Sequence, residues 1–297
     1  MSNTAAGGGS QVNGCQVNGC QEIAWPRIRE LVTDALTAAH RAHLAHALAE
    51  VDVSRAVAAI DTYKARLPGG VSFNAFIIYC LGRAIAEHPQ LHAYRKGRKK
   101  LVIFDDVDVS TLLETRKPDG SMVPVPYIVR RANGKSLAEI NHELRQAVQR
   151  DMYNDAGVRM RRRLMRLPRS ARALLWWWTM RDPERRRQQW GTVGVSNVGP
   201  FMLHRPFWGM ADSWSTCTVT IGGRYERVCW IDGRPQPRMT QSFTVTVDHD
   251  VVDGAPAARF GQTMTRLVEE AAGLDDDFAA EAARLSGTPG EVQHAAA

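Results

Sequence analysis

His249 and Asp253 stand four residues apart in "TVDHDVVDGAPAARF", residues 246–260. An imidazole with an unperturbed pKa of about 6.5 is available in neutral form at physiological pH, so it can take a proton from a thiol or hydroxyl. A carboxylate four positions later can fix a turn, pair with an arginine or orient the ring. The residues before the histidine alternate: Phe243, Val245 and Val247 point one way, Thr244 and Thr246 the other. Gly254 then permits a turn, and Ala257, Ala258 and Phe260 begin a helical pattern. The spacing predicts His249 at a strand end, open to a substrate. Taken alone, H-x-x-x-D-G also describes an ordinary loop, and the chain has nine histidines.

The elements that must position this histidine are legible in outline. Apolar residues at three and four spacing predict a helix over Ala24–Ala47, followed by a strand over Ala49–Val53. Arg55–Arg66 is again helical and is stopped by Pro68-Gly69-Gly70. Ser72 is placed to cap a helix that is apolar nearly all round and therefore buried. "KLVIFDDVDVSTLLE" predicts two strands, and "SMVPVPYIVRRANGKS" an extended segment and a turn. Ser136 begins a further helix, with Glu139 at the capping-box position. After Trp190 the pattern changes to period two with glycines, so "GTVGVSNVGPF", "STCTVTIGG", "RYERVCWIDG" and "RMTQSFTVTVD" read as strands with tight turns. Ser196 lies in the first of these beside Asn197, a pair that is also ordinary turn chemistry. An amphipathic helix closes the pattern. Helices first and strands later predict an α/β sandwich of two layers.

Composition narrows the class. The chain of 297 residues is 44% apolar, enough for one large core or two modest ones. No run of 18 apolar residues occurs, and residues 1–21 carry no basic start or apolar stretch, so a soluble cytoplasmic protein with a disordered tail over 1–21 is the expectation. An odd set of cysteines, Cys15, Cys20, Cys80, Cys217 and Cys229, argues for free thiols. The tandem QVNGC repeat spaces Cys15 and Cys20 too widely for a CxxC pair, and no metal site is expected. The net charge of +7 is local: residues 159–187 hold eleven arginines against Asp182 and Glu184, a formal +9, which leaves −2 for the rest.

Four collinear blocks resemble one family. "DHDVVDGAPAARF" (248–260) is similar to the D-H-R-x-x-D-G-A-x-A-A-R-F motif of the dihydrolipoamide acyltransferases of 2-oxo acid dehydrogenase complexes. "EVDVSRA" (50–56), "DVDVSTLLETRKPDGSMVPVPYIVRRANGKSLAEINHEL" (106–144) and "GTVGVSNVGPF" (191–201) resemble its earlier blocks in the same order. The resemblance implies a chloramphenicol acetyltransferase-like fold, a mixed sheet with helices on one side, over residues 22–274. It implies coenzyme A or acyl-CoA as a substrate and no metal. It further implies His249 as general base, Ser196 as donor to the oxyanion, and Asp253 as an orienting or structural partner. A homotrimer follows from the same resemblance, with His and Ser supplied by adjacent subunits.

Three departures qualify these expectations. Asp250 replaces the family's arginine, and a carboxylate beside the imidazole would favour its protonated form. No lipoyl attachment is expected in this chain, so a lipoyl domain or carrier protein would act in trans, or a different acceptor is used. Residues about 150–190 read as an insertion, with Arg159–Arg172 and Trp176, Trp177 and Trp178 as a basic amphipathic hairpin. That segment either packs on the body as a lid or docks, through 159–187, on an anionic membrane surface or protein; no nucleic-acid fold motif accompanies it. Residues 275–297 are expected as a helix or tail. The rival functions are a standalone biosynthetic acyltransferase on a small-molecule or carrier-protein acceptor, and a catalytically idle trimeric scaffold.

Overall fold

The computed structural model describes residues 15–17, 20–22, 25, 27–39, 42–67, 69–116, 120, 122–150, 160, 163–164 and 166–285. In chain order the elements are β1 (Cys15–Val17), β2 (Cys20–Glu22), α1 (Arg27–Ala39), β3 (Leu44–Asp52), α2 (Ser54–Arg66) and α3 (Phe73–Glu87). There follow β4 (Tyr94–Lys96), β5 (Lys100–Val102), β6 (Val109–Arg116), β7 (Met122–Val129), α4 (Leu137–Gln149), α5 (Arg169–Arg181) and α6 (Pro183–Trp190). The chain then forms β8 (Val193–Asn197), β9 (Cys217–Ile231), β10 (Arg234–Asp248), α7 (Gly254–Glu269) and α8 (Asp276–Leu285).

Six strands make one mixed sheet in the order β3-β10-β9-β8-β6-β7. β3, β10 and β9 are antiparallel, β8 runs parallel to both β9 and β6, and β6 and β7 form a hairpin. The α/β layering expected from the residue pattern is therefore present. One face carries Val193, Val195, Val219, Ile221, Phe243, Val245 and Val247, all buried in a single apolar cluster with α2, α3, α4 and α7. α3 is the centre of that layer: Ala75, Phe76, Ile77, Ile78, Cys80, Leu81, Ala84 and Ile85 are wholly buried, as an all-round apolar helix requires. Burial pushes the Cys80 thiol well above its ordinary range. Ser72 accepts from the Asn74 N–H at 3.2 Å, and Ser136 and Glu139 form the reciprocal capping box at 3.1 and 2.8 Å. Each cap is worth about 1 kcal/mol.

The other face is polar. Thr218, Thr220, Ser242, Thr244 and Thr246 project there and are covered by residues 202–216. Trp208 Nε1 donates to the Ala49 carbonyl at 3.3 Å, and Ser213 and Thr218 share a hydroxyl contact at 2.6 Å. This crossing explains one difference from the residue pattern. Gly222-Gly223 does not turn the chain: β9 continues through it as one strand of 15 residues, with an irregularity in the pairing where the two glycines stand opposite Ser242. The glycines are needed because the Phe207 and Arg205 carbonyls lie where their Cβ atoms would be.

Two further expectations are corrected at the N-terminal side. The predicted helix over Ala24–Ala47 ends at Ala39, and the strand begins at Leu44 rather than Ala49. Leu44–Leu48 are good helix formers, but they pair with Thr244–Asp248, and ladder pairing outweighs a propensity of a few tenths of a kcal/mol per residue. In the tail expected to be disordered, Cys15–Val17 and Cys20–Glu22 pair as antiparallel strands; residues 1–14, 18 and 19 lie outside the described residues. At the other end α8 provides the helix expected after residue 275, while 286–297 lie outside the described residues. No helix among the described residues is long and apolar enough to cross a membrane.

The insertion packs on the body. Residues 151–159, 161, 162 and 165 lie outside the described residues; from Arg169 onward the insertion forms α5 and α6. Trp176 stacks on Trp190 at 5.4 Å and Trp190 on Trp214 at 5.2 Å. Arg172 is buried against Glu30 and Asp34 of α1, at 2.9 and 2.7 Å. Arg187 reaches Asp108 at 2.9 Å and Asp106 at 3.2 Å. The tryptophans thus divide: Trp176 faces inward, while Trp177 and Trp178 stay half-exposed beneath Arg181 and Arg185.

This junction carries a pH dependence. His92 is buried beside Phe104, and burial, reinforced by Arg187, lowers its pKa to about 4. The unfolded chain takes up the proton at about 6.5 whereas the folded chain does not, so stability is full above that pH and falls as the pH drops toward 4, by about 3 kcal/mol in all. Thermal midpoints measured from pH 7 to 4 are expected to decline along this window, with a shallower slope in His92→Gln. Equal slopes in the two proteins would remove His92 as the cause.

Candidate active site

His249 follows directly on β10, and its backbone N–H donates to the His43 carbonyl at 2.7 Å. The main chain thereby ties the end of β10 to the entry of β3 and leaves the ring half-exposed, at 51%. Nδ1 lies 4.0 Å from Asp253 Oδ1, beyond hydrogen-bond distance. Asp253 is the residue before α7, makes no cap hydrogen bond, and its side chain is 89% exposed.

Asp250 does not face the imidazole as a free carboxylate. Its Oδ1 is 2.9 Å from His43 Nδ1, and its Oδ2 accepts from Arg95 Nη1 at 3.1 Å. The charge expected beside His249 is thus turned toward β4 and paired there. Asp248, by contrast, is half-buried, and burial together with the neighbouring Asp250 raises its pKa.

Ser196 is the fourth residue of β8. Its partner across the ladder is Thr220, whose own partner on β10 is Thr244. It projects from the face opposite Val193 and Val195, toward the hydroxyl-rich side of the sheet. His249 lies five residues past Thr244 and two strands away, roughly 20 Å from Ser196 at ordinary strand rise and spacing. One chain therefore does not bring the two side chains into one cavity. Ser196 sits level with Thr220, Thr244 and Leu48, in the middle of the sheet, whereas His249 lies beyond the end of β10.

At the His249 end, an apolar groove of about 340 Å³ opens between β3 and α7, with His249 among its lining residues. The same end carries the β4–β5 hairpin, with Arg95, Lys96, Arg98, Lys99 and Lys100, and it abuts α6, whose Arg186 donates to the Trp214 carbonyl. The groove and the His43–Asp250–Arg95 contacts have no counterpart in the sequence reading. Their members are separated by up to 207 residues, and no local spacing announces them. Among the described residues no group of three or more His, Cys, Asp or Glu is placed to hold a metal ion.

A half-open imidazole anchored by its main chain at a strand end, beside an apolar groove, is equipped to take up or release a proton there. The family model for 2-oxoacid dehydrogenases acyltransferase (catalytic domain) matches residues 18–157 and 183–274, and the chain belongs to this family. The residues between the two matched stretches fall in the insertion. The chain is 26% identical over 214 residues to the dihydrolipoyllysine-residue acetyltransferase component of the pyruvate dehydrogenase complex of Mycoplasma pneumoniae, covering 69% of this chain and 43% of that protein. It thus spans less than half the length of the curated relatives it matches. The fold is shared with the cubic core of the pyruvate dehydrogenase multienzyme complex, at TM-score 0.64 and 16% identity over 86% of this chain and 93% of that one. It is shared to the same extent, 0.64 and 16% over 86% and 93%, with Azotobacter vinelandii dihydrolipoamide acetyltransferase, whose catalytic mechanism was investigated at a serine, a histidine and an asparagine.

Proposed function

We propose that the protein transfers an acyl group between coenzyme A and a thiol acceptor such as dihydrolipoamide. The observation that carries this reading is His249, held at the end of β10 by its main chain with its ring open to a groove, inside the motif that marks the family. With Nδ1 turned toward Asp253, Nε2 is the nitrogen left to take the acceptor's proton. The thiolate sulfur attacks the thioester carbonyl, and the carbonyl electrons move onto oxygen. Ser196 from a second copy donates its hydroxyl to that oxyanion, a hydrogen bond that gains strength only as charge develops. Collapse expels the coenzyme A thiolate, which takes the proton back from His249.

The roughly 20 Å between Ser196 and His249 in one chain is the reason to place them on different copies, and a closed threefold ring supplies that pairing at every interface. The Azotobacter protein, in which a serine and a histidine were probed together, supports the same pair. The acceptor is provided in trans, by a lipoyl-bearing or other carrier protein or a small thiol. The half-exposed Trp177 and Trp178, the exposed Leu174 and the arginines not engaged with the body form a surface suited to a cytoplasmic docking partner or an anionic membrane face. Thiol release from acetyl-, propionyl- and branched acyl-CoA, with and without dihydrolipoamide, tests the reaction. Acceptor-dependent release is expected with at least one donor; none with any of them would overturn the reading and favour an idle scaffold.

A further inference from the structure

The groove beside His249 is long, apolar and closed at its far end. On β3, Ala45, Ala47 and Ala49 point toward the helical layer, opposite Val247, Val245 and Phe243 of β10. On α7, Gly254, Ala257 and Gly261 recur at three and four, so they line one helix face toward that strand. Small residues on both walls keep helix and strand from filling the space between them. A Cβ added at Gly254 or at Gly261 would meet nothing within 4 Å. The far end is sealed by Val51, Met264 and Val268, all buried. The near end, at His249 and Gly254, is exposed, and so is the β3 wall at Ala47 midway along. From Ala45 to Val51 the trough runs about 20 Å along β3.

We infer that this groove holds the hydrocarbon tail of the acyl donor, so that the protein's preferred donors are straight-chain aliphatic thioesters rather than acetyl. The inference rests on the transfer reaction proposed above. It follows from where the histidine stands: a thioester carbonyl within reach of the His249 ring has its acyl substituent at the groove's open end. The volume of about 340 Å³ falls in the range of about 300–1,000 Å³ occupied by small ligands. The walls offer no set of polar groups that would hold water in the interior, and an apolar cavity of this kind takes an apolar guest. Each methylene moved from water into the groove is worth about fourfold in binding, from about 0.8 kcal/mol per CH₂.

The experiment compares wild type with Gly261→Leu and Ala47→Leu, which fill the groove from opposite walls and lie outside the proton-transfer machinery. Leucine is also the better helix former at 261, so the fold is not put at risk there. Two readouts are taken: kcat/KM for acetyl-, butyryl-, hexanoyl- and octanoyl-CoA with one thiol acceptor, and calorimetric binding of octanoyl-CoA and acetyl-CoA without acceptor. In wild type, kcat/KM and affinity are expected to rise at least tenfold from acetyl to octanoyl. Both variants are expected to lose that gain, with the affinity for octanoyl-CoA falling to that for acetyl-CoA. Turnover that is flat with chain length, with equal affinity for the two donors, would overturn the groove assignment and leave the reaction standing. Tighter octanoyl-CoA binding that Gly261→Leu abolishes, with no turnover of any donor, would uphold the groove and overturn the reaction. A second copy seated in the groove would be revealed by a flat profile and an altered oligomeric state in the variants, and that too would overturn the inference.

Discussion

His249→Ala is expected to lower turnover by about 10²–10⁴-fold, the loss typical of removing a general base. The loss should fall on kcat, because the ring is half-exposed and the contact that fixes the strand end is made by the main chain, His249 N–H to His43 O at 2.7 Å. Alanine keeps that contact, so the fold and the thermal midpoint should hold. Ser196→Ala is expected to cost on the order of 10²-fold or slightly more, again mainly in kcat, since its hydroxyl acts only on the developing oxyanion. Neither substitution empties a packed core: Ser196 is half-buried and makes no side-chain hydrogen bond among the described residues. Steady-state kinetics with the best donor found above, alongside thermal denaturation, check both. Wild-type turnover in either variant would remove that residue from the chemistry.

Asp108→Ala should produce the largest loss of stability, about 3–5 kcal/mol, the range for removing one partner of a buried ion pair. The Asp108 side chain is only 1% exposed. It accepts from the Arg131 N–H at 3.0 Å, Arg130 Nη1 at 2.9 Å and Arg187 Nε at 2.9 Å. Burial works against its ionisation, but these three donors outweigh burial and hold the carboxyl below its ordinary pKa. Alanine leaves Arg187 Nε and the Arg131 N–H without their acceptor, while Arg130 Nη1 keeps the Arg187 carbonyl at 3.0 Å and Arg187 Nη2 keeps Asp106 at 3.2 Å. Because Arg187 belongs to α6, the insertion should loosen with it. At about 2–4 °C per kcal/mol for a domain of this size, the midpoint should fall by on the order of 10 °C. Amide exchange in residues 169–190 should quicken in parallel. An unchanged midpoint and unchanged exchange would mean that α5 and α6 are held by the Trp176–Trp190–Trp214 stack instead.

The motif histidine, the strand before it and the helix after it could be read from residue order because each depends on neighbours within a few positions. The same holds for Ser72 and Ser136, whose caps close within three residues. What could not be read depends on contacts between distant segments. Leu44–Leu48 looks helical until β10 arrives beside it. Gly222-Gly223 looks like a turn until residues 202–207 are laid across the sheet. Asp250 looks like a charge beside the imidazole until His43 and Arg95, 207 and 155 residues away, are seen to hold it. Arginines that looked free to dock, Arg172 and Arg187, are instead paired with carboxylates of α1 and of the segment before β6. The groove was hidden for the same reason: alanines on β3 and glycines on α7 say nothing until helix and strand are packed together.

Shared active sites make a direct demand. Co-expression of His249→Ala and Ser196→Ala chains, each inactive alone, should restore activity in the mixed oligomer. For random threefold assembly about one quarter of interfaces would carry an intact histidine from one chain and an intact serine from the next. Recovery near that fraction of wild-type turnover is the predicted result. Mixed oligomers no more active than either parent would contradict a site built from two copies, and with it the pairing of His249 and Ser196.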